Sequence, residues 1–452
     1  MPIEIHPEAA TRFNELGNAL LQQVIPEPSC AEVQGDFRPD IYPVAQIPEK
    51  DLIGELVEIH SVVNGAGEEV GRFFQHTSPK VGVLGNGFLA LNQLAQQIQR
   101  TESLRHTTTI GFIRDAIFGW AEARYAQKTT ESLMECIAKH AGKEIQDFEI
   151  WIPLHRTYVE SSFPLGRITV RTITSSMMDE AEARVPIPDK ETAAAVKFAF
   201  ARDRSVVQGC AAVAVKIYAE KQKALEVARQ EVETAAAFLR FFSPANWTPK
   251  LRSYCTPLGS ENLRRRAELF IDNGSIANYS RGVLDSGGYW VLSNSDFANF
   301  PGVLHRLSAL SGERNRSPFQ QSLFDALLIH SRNSVAIEPA DKLVYILVAI
   351  ESMLLRNSNE PLGKNIGERM AFLIGNSVES REAVLSNVED VYRLRSSFIH
   401  HGHSIGDLGV LSNFMLNAWT CLAVLLENKD RFRTKDDLIS ALEHMKFSGG
   451  LE

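Results

Sequence analysis

Cysteine is scarce in this sequence, and the features of exported or membrane proteins are missing with it. Five cysteines are spread over 452 residues, and no two have the spacing of a metal-ligand or redox pair. This pattern indicates free thiols in a reducing compartment. The N-terminus, MPIEIHPEAATRF, lacks the basic start and apolar run of a signal peptide. Because no uninterrupted apolar stretch approaches the ~20 residues that span a bilayer, we expect a cytoplasmic location and no membrane contact.

Strong charge of one sign is also absent. The formal net charge of -8 excludes a protein that coats nucleic acid non-specifically, although a local basic pocket remains compatible with it. The sequence has no phosphate-binding G-x-x-x-x-G-K-S/T loop, no H-E-x-x-H motif and no G-x-S-x-G motif. No set of carboxylates and thiols has metal-ligand spacing. We therefore expect neither a metal nor a cofactor.

The length predicts two or three domains at roughly 100–200 residues each, and the expected fold class is α+β. Residues 1–140 are expected to be mostly helical, with helices at residues 51–63 and 88–99. Residues 141–310 are predicted to form an α+β region, a possible sensor. Residues 319–452 are predicted to form an all-α bundle, after a polar linker at 311–318.

Alternating apolar residues predict the strands of the middle region. They occur at residues 148–154, at Ile168 and Val170, and from Val213 to Ile217. A helix is expected from about Lys221 to Phe242, before Ser243-Pro244. Two further strands, RAELFID and YWVL, are bounded by Asn-Gly and Gly-Gly turns.

Apolar residues at intervals of three or four predict the helices of the C-terminal bundle. The first stripe consists of Leu343, Ile346, Leu347, Ile350, Met353 and Leu354. The second consists of Ile366, Met370, Leu373 and Ile374. The third consists of Val384, Leu385, Val388, Val391, Tyr392 and Ile399. A fourth helix is predicted over residues 408–426, which are apolar almost throughout.

Arg395 interrupts the third stripe. On an ideal helix it lies about 20° from Val388 and about 40° from both Val391 and Ile399. A guanidinium on such a face needs a partner or a polar cleft. A buried ion pair or a salt bridge in a dimer interface would account for Arg395 at this position, and so would a catalytic site. His400, His401 and His403 follow, with Gly402 as a plausible helix terminator.

These residues resemble a known signature. The segment YRLRSSFIHHG, residues 392–402, resembles the R-x4-6-H motif of HEPN domains, and most of all the ApeA-like group with Y-x-L-R-S-x-x-x-H-x-G. LVAIESML, residues 347–354, resembles the family's "ALE-x-L" helix, and ERMAFLI, residues 368–374, resembles its "R-x-A-x-L" helix. The resemblance covers about residues 320–445 and extends to no other part of the chain.

The resemblance implies a metal-independent endoribonuclease that leaves a 2′,3′-cyclic phosphate, in a homodimer that acts as an anti-phage defence or toxin effector. Arg395 would hold the phosphate, and His400 would transfer protons. A non-catalytic HEPN module for dimerisation or RNA binding is the alternative. An unknown trigger would act at the N-terminal region.

Four supporting residues are expected around Arg395 and His400. Glu351 would orient Arg395, Tyr392 would pack or line the pocket, and His401 is a rival to His400. Ser396 stands where many catalytic members have Asn or Asp, and its hydroxyl can still hydrogen-bond. Arg395 and His400 lie about 140° apart on an ideal helix. Either the last turn unwinds before Gly402, or two chains assemble the site, which is how the family usually works.

Overall fold

The structure is a computed structural model that describes residues 5–26, 61–63, 66–74, 81–187, 189–260, 265–272, 275–283, 290–357, 359–401 and 404–448. The chain forms two compact units. The first comprises Met1–Phe148 and Lys216–Val227, and the second comprises Glu149–Val215 and Ala228–Glu452. The predicted linker at residues 311–318 lies inside the second unit. The α+β class is confirmed.

The first unit combines helices with a small antiparallel sheet. Its elements are α1 (Pro7–Leu21), β1 (Ile25–Pro26), β2 (Ser61–Val63), β3 (Glu69–Phe73), β4 (Val81–Leu84), α2 (Asn86–Gln99), α3 (Ile110–Tyr125) and α4 (Leu133–Glu144). The strand order is β1-β4-β3-β2. Apolar faces of the four helices form its core, with Leu91, Ile98, Ile117 and Ile137 fully buried.

The predictions for this unit are partly confirmed. The helix predicted over residues 88–99 corresponds to α2. The sheet was not predicted, because its strands have only two to five residues and show little alternation. In the helix predicted over 51–63, residues 51–60 lie outside the described part of the chain. Its end, Ser61–Val63, is strand β2.

The middle of the chain follows the predicted strand pattern. Its elements are β5 (Gln146–Pro153), β6 (Thr157–Val159), β7 (Phe163–Leu165), β8 (Ile168–Thr172), α5 (Ser175–Ala183), α6 (Lys190–Val207), β9 (Ala211–Ala219) and α7 (Lys221–Arg240). The strands β5, β9, β8 and β7 form a sheet in that order. The strands predicted around Ile150, Ile168 and Val213 and the helix after Lys221 are confirmed.

A hairpin, a further short strand and two short helices precede the bundle. They are β10 (Arg265–Asp272), β11 (Ser275–Val283), β12 (Trp290–Leu292), α8 (Asn294–Asn299) and α9 (Val303–Gly312). The strands predicted for RAELFID and YWVL correspond to β10 and β12. Strand β12 pairs in parallel with β6, with Val291 opposite Tyr158.

From Pro318 onward the described residues with regular structure are helical. The helices are α10 (Pro318–Ser331), α11 (Pro339–Leu354), α12 (Leu362–Ile374), α13 (Val378–His401), α14 (Leu408–Glu427) and α15 (Lys435–Ser448). Helix α10 begins at a capping box in which Ser317 and Gln320 satisfy each other's backbone amides. The first apolar stripe is confirmed, because all six of its residues on α11 are buried.

Helix α14 corrects the expectation about apolar stretches. Among the described helices it has the length and composition that would allow it to cross a membrane. In the structure it packs against α11, α12 and α13 and buries Phe414, Ala418 and Leu422. Its Trp419 indole donates a 2.9 Å hydrogen bond to the Phe241 carbonyl. Such contacts are typical of the core helix of a bundle.

Candidate functional site

Helix α13 carries the residues that the sequence singles out. It runs without interruption from Val378 to His401. Its stripe buries Val384, Val388 and Val391 beside α12 and α14. This packing fixes the rotation of the helix and therefore the direction of the residues in its last two turns.

The Tyr392 hydroxyl donates a hydrogen bond of 2.8 Å to Glu351 Oε1 on α11. Burial raises the pKa of Tyr392, and the charge of Glu351 and its hydrogen bond raise it further. The hydroxyl therefore stays protonated and acts as the donor. The hydrogen bond joins the helices that carry two of the three motif segments.

Arg395 lies one turn beyond Tyr392. Its guanidinium carbon is 5.9 Å from the centroid of the Tyr392 ring, within range of a cation–π contact. The side chain is half-buried. No carboxylate among the described residues forms an ion pair with Arg395. The buried ion pair considered from the sequence is thus not formed within the described part of the chain.

The role expected of Glu351 requires a correction. Glu351 does not pair with the Arg395 guanidinium but accepts the hydrogen bond of Tyr392. The ring of Tyr392 then faces Arg395. Tyr392 thus contacts both Glu351 and Arg395, and Glu351 does not contact Arg395 directly.

His400 and His401 are exposed on the last turn of α13, and Ser396 is exposed one position after Arg395. The helix continues through His401, so the last turn does not unwind between Arg395 and His400. The two side chains therefore leave the helix in directions about 140° apart within one chain. Gly402 and His403 lie outside the described residues.

The apolar stripe of α13 leaves the core towards its C-terminal end. Val391 is buried, Arg395 is half-buried and Ile399 is 52% exposed. These three residues are four positions apart and lie on one face of the helix. The predicted burial of Ile399 is therefore wrong for the single chain.

Arg369, the arginine of the "R-x-A-x-L" segment, forms hydrogen bonds that join three helices of the bundle. Its guanidinium donates to the Leu354 carbonyl at 2.6 Å and to both oxygens of Glu360 at 2.7 and 3.0 Å. It also donates to Glu443 of α15 at 3.1 Å. Arg369 holds the end of α11 against α12 and α15, and sequence reasoning did not assign it this role.

Sequence reasoning also missed a buried polar cluster in the second unit. Arg240, His330, Asn333 and Lys342 are at most 5% exposed and come from three separate segments of the chain. The sequence contained one indication of this cluster. Lys342 precedes Leu343 and lies four positions before Ile346, so the apolar stripe of this helix predicts that Lys342 is buried.

The described residues contain no group of three or more His, Cys, Asp or Glu that could hold a metal ion. Comparisons of the chain with models of protein families, with curated proteins and with solved structures found no match. The resemblance to HEPN domains therefore rests on the three motif segments of the sequence alone.

Proposed function

We propose that the chain is a metal-independent endoribonuclease of the HEPN type, assembled from two copies of α13. The observation that carries this proposal is the connected cluster of Glu351, Tyr392 and Arg395, in which the guanidinium has no carboxylate partner among the described residues. A half-buried cation without a counter-charge is suited to bind an anion. In this role the protein would act on cytoplasmic RNA as a defence or toxin effector.

The chemistry needs a fixed cation and a group that transfers protons near neutral pH. The 2′-hydroxyl of the RNA attacks the adjacent phosphorus, and the bond from phosphorus to the 5′-oxygen breaks, which gives a 2′,3′-cyclic phosphate and a 5′-hydroxyl. Arg395 binds the phosphate oxygens and stabilises the charge that develops on them. His400 takes the proton of the 2′-hydroxyl or delivers one to the leaving 5′-oxygen.

A second copy of the chain supplies what one helix cannot. Arg395 and His400 diverge on the continuous helix α13, so a single chain does not present both to one phosphate. The exposed Ile399 between them extends the apolar stripe onto the surface. A twofold pairing along this face would cover Ile399 and set the arginine of one copy near the histidine of the other.

Cleavage of RNA by the purified full chain in the presence of a metal chelator tests the proposal. We expect products with 2′,3′-cyclic phosphate ends, and at least about a 100-fold loss of rate in each of Arg395→Ala and His400→Ala. Arg393→Ala is the matched control. Arg393 is exposed on the same helix and pairs only with Asp390 among the described residues, so its loss should leave the rate nearly unchanged.

Two results would count against the proposal. If Arg395→Ala dissociates the dimer without changing any effect on RNA, the chain is the non-catalytic module instead. If expression of the wild type and of the Arg395→Ala/His400→Ala double variant arrests growth equally, these residues do not cleave RNA.

If His401→Ala alone removes cleavage, the proton transfer belongs to His401.

A further inference from the structure

Two buried cations in the second unit join a loop to a turn. Lys342 Nζ donates to the Leu251 carbonyl at 2.8 Å and to the Asn333 carbonyl at 3.0 Å. Arg240 donates to the Cys255 carbonyl at 2.7 Å and to the Ser331 hydroxyl at 3.0 Å. These hydrogen bonds hold the loop at residues 251–255 against the turn at residues 331–334.

The cations at this place form no direct ion pair within the described part of the chain, although Glu233 acts on Arg240 from a greater distance. Neither Arg240, Lys342 nor the exposed Arg332 forms an ion pair with a carboxylate there. Burial and, to a smaller extent, the charge of Arg252 together lower the pKa of Lys342 to about 8. Burial likewise lowers the pKa of Arg240; Cys255 and Glu233 oppose this effect, and Arg332 adds to it. The cations are close enough to disfavour one another, which an anion would relieve.

A cleft of about 250 Å³ opens beside these residues. Its walls are the loop at residues 252–260, the turn at 332–337 and the first turns of α11. Arg252, Arg332, Thr256 and Tyr345 line it, and among the described residues Asp341 is the one carboxylate in its lining. Hydroxyl, guanidinium and aromatic groups therefore meet in one concave site.

Two details of the cleft favour a negatively charged ligand. Arg252 Nε donates to the Val335 carbonyl at 3.1 Å, and its guanidinium carbon is 5.3 Å from the centroid of the Tyr254 ring. The arginine is thus held at the wall before a ligand arrives. Helix α11 begins at Pro339 without a side-chain cap, so its free amide groups add positive potential beside the cleft, which the Asp341 carboxylate of the same turn partly offsets.

We propose that this cleft binds a phosphate monoester of about mononucleotide size. Arg332 and Arg252 take the phosphate oxygens, and Thr256 supplies a hydroxyl donor. Asp341 and Tyr345 contact the organic part, where a carboxylate can accept hydrogen bonds from sugar hydroxyls. The volume is near the lower end of the roughly 300–1,000 Å³ typical of small-molecule sites, which favours a small ligand over an RNA strand.

The place of the cleft in the chain suits a ligand that acts as a signal. One wall belongs to the region predicted as a sensor, and the other walls belong to the predicted bundle. Both lie in the same compact unit. The binding proposal is independent of RNA cleavage, because none of the cleft residues belongs to the cluster around Arg395.

Isothermal titration of the full chain tests the proposal, with AMP, ribose 5-phosphate, inorganic phosphate and adenosine as separate probes at one fixed salt concentration. We expect AMP or ribose 5-phosphate to bind, and adenosine to bind at least about tenfold more weakly than AMP. Arg332→Ala should weaken binding of the phosphorylated probe at least about tenfold. A preference for AMP over ribose 5-phosphate would identify a nucleotide site.

The matched control is Arg314→Ala, which removes another exposed arginine outside the cleft. Because Arg332 is exposed and has no side-chain partner among the described residues, its replacement should not unfold the chain. Equal binding by Arg332→Ala and Arg314→Ala would overturn the proposal. So would the absence of binding by every phosphorylated probe up to about 1 mM. A short RNA is titrated as a fifth probe, and if it binds in an Arg332-dependent manner while AMP does not bind, the cleft is an RNA contact and the proposal is wrong.

Discussion

Tyr392 and Glu351 are 41 positions apart in the sequence, and their side chains meet in a 2.8 Å hydrogen bond between α13 and α11. Both helices contribute segments that resemble the HEPN motifs, and neither segment specifies this contact by itself. The bond restricts the Tyr392 ring, and the ring in turn limits where the Arg395 guanidinium can lie. We therefore expect the pair to position Arg395, the arginine proposed to bind phosphate.

A double-mutant cycle measures this contact. Tyr392→Phe and Glu351→Gln should each lower the free energy of unfolding by about 1–3 kcal/mol, because the hydrogen bond involves a charged acceptor. The double variant should lose less than the sum of the single losses, with a coupling of at least about 0.5 kcal/mol. Urea denaturation gives the free energies. Strict additivity would show that the two residues do not act as a pair.

Ile399 should report on pairing between two chains. Ile399→Asp places a charge on the uncovered end of the α13 stripe, and we expect it to shift the protein from dimer towards monomer in light scattering. Val378→Asp is the matched control, since Val378 is 64% exposed at the opposite end of the same helix. A dimer that tolerates Ile399→Asp as well as Val378→Asp would mean that this face is not the interface.

Arg369 should be important for the stability of the bundle. Hydrogen bonds from the Arg369 guanidinium are the largest cause that lowers the pKa of Glu360 to about 2, and the side chains of Arg369 and Glu360 are 8% and 15% exposed. Arg369→Ala should lower the free energy of unfolding by about 3–5 kcal/mol, because Glu360 loses its partner in a poorly hydrated position. The contribution of Glu360 is complete above pH 4.5 and is lost as the pH falls towards 2.

Arg356→Ala provides the comparison for Arg369. Arg356 binds the same Glu443 at 2.9 Å, but its side chain is 37% exposed. Exposed pairs contribute about 0–1 kcal/mol, so Arg356→Ala should change the free energy of unfolding by less than about 1 kcal/mol. Equal losses in the two variants would show that burial does not distinguish these arginines.

His330 should weaken the fold in mild acid. It is fully buried, and burial lowers its pKa from 6.5 to about 3. As the pH falls below 6.5 the unfolded chain takes up a proton that the folded chain refuses, so stability falls with pH. Between pH 7 and pH 5 the wild type should lose about 2 kcal/mol more than His330→Leu.

The same variant should be stable at pH 7. Neither ring nitrogen of His330 has a hydrogen-bond partner among the described residues, so leucine breaks no bond there. His305→Leu, at an exposed histidine of α9, is the control and should keep the wild-type pH dependence. Urea denaturation at both pH values checks the prediction, and identical pH dependence in the wild type and His330→Leu would contradict it.

The sequence alone determined the helices of the bundle and most of their buried faces. Leu343, Ile346 and Ile350 recur at helical intervals, and burial of an apolar stripe follows directly from such spacing. The same logic located Arg395 on the α13 stripe. It failed for the strands of the first unit, because segments of two to five residues are too short to show a period.

Only the tertiary structure decided which side chains meet. Glu351 binds Tyr392 rather than Arg395, and Arg240 and Lys342 converge although about a hundred residues separate them. Local spacing specifies the face of a helix, but not the residue that the neighbouring helix or loop places opposite that face. Such pairings arise from the packing of the whole unit, which also left Ile399 uncovered in the single chain.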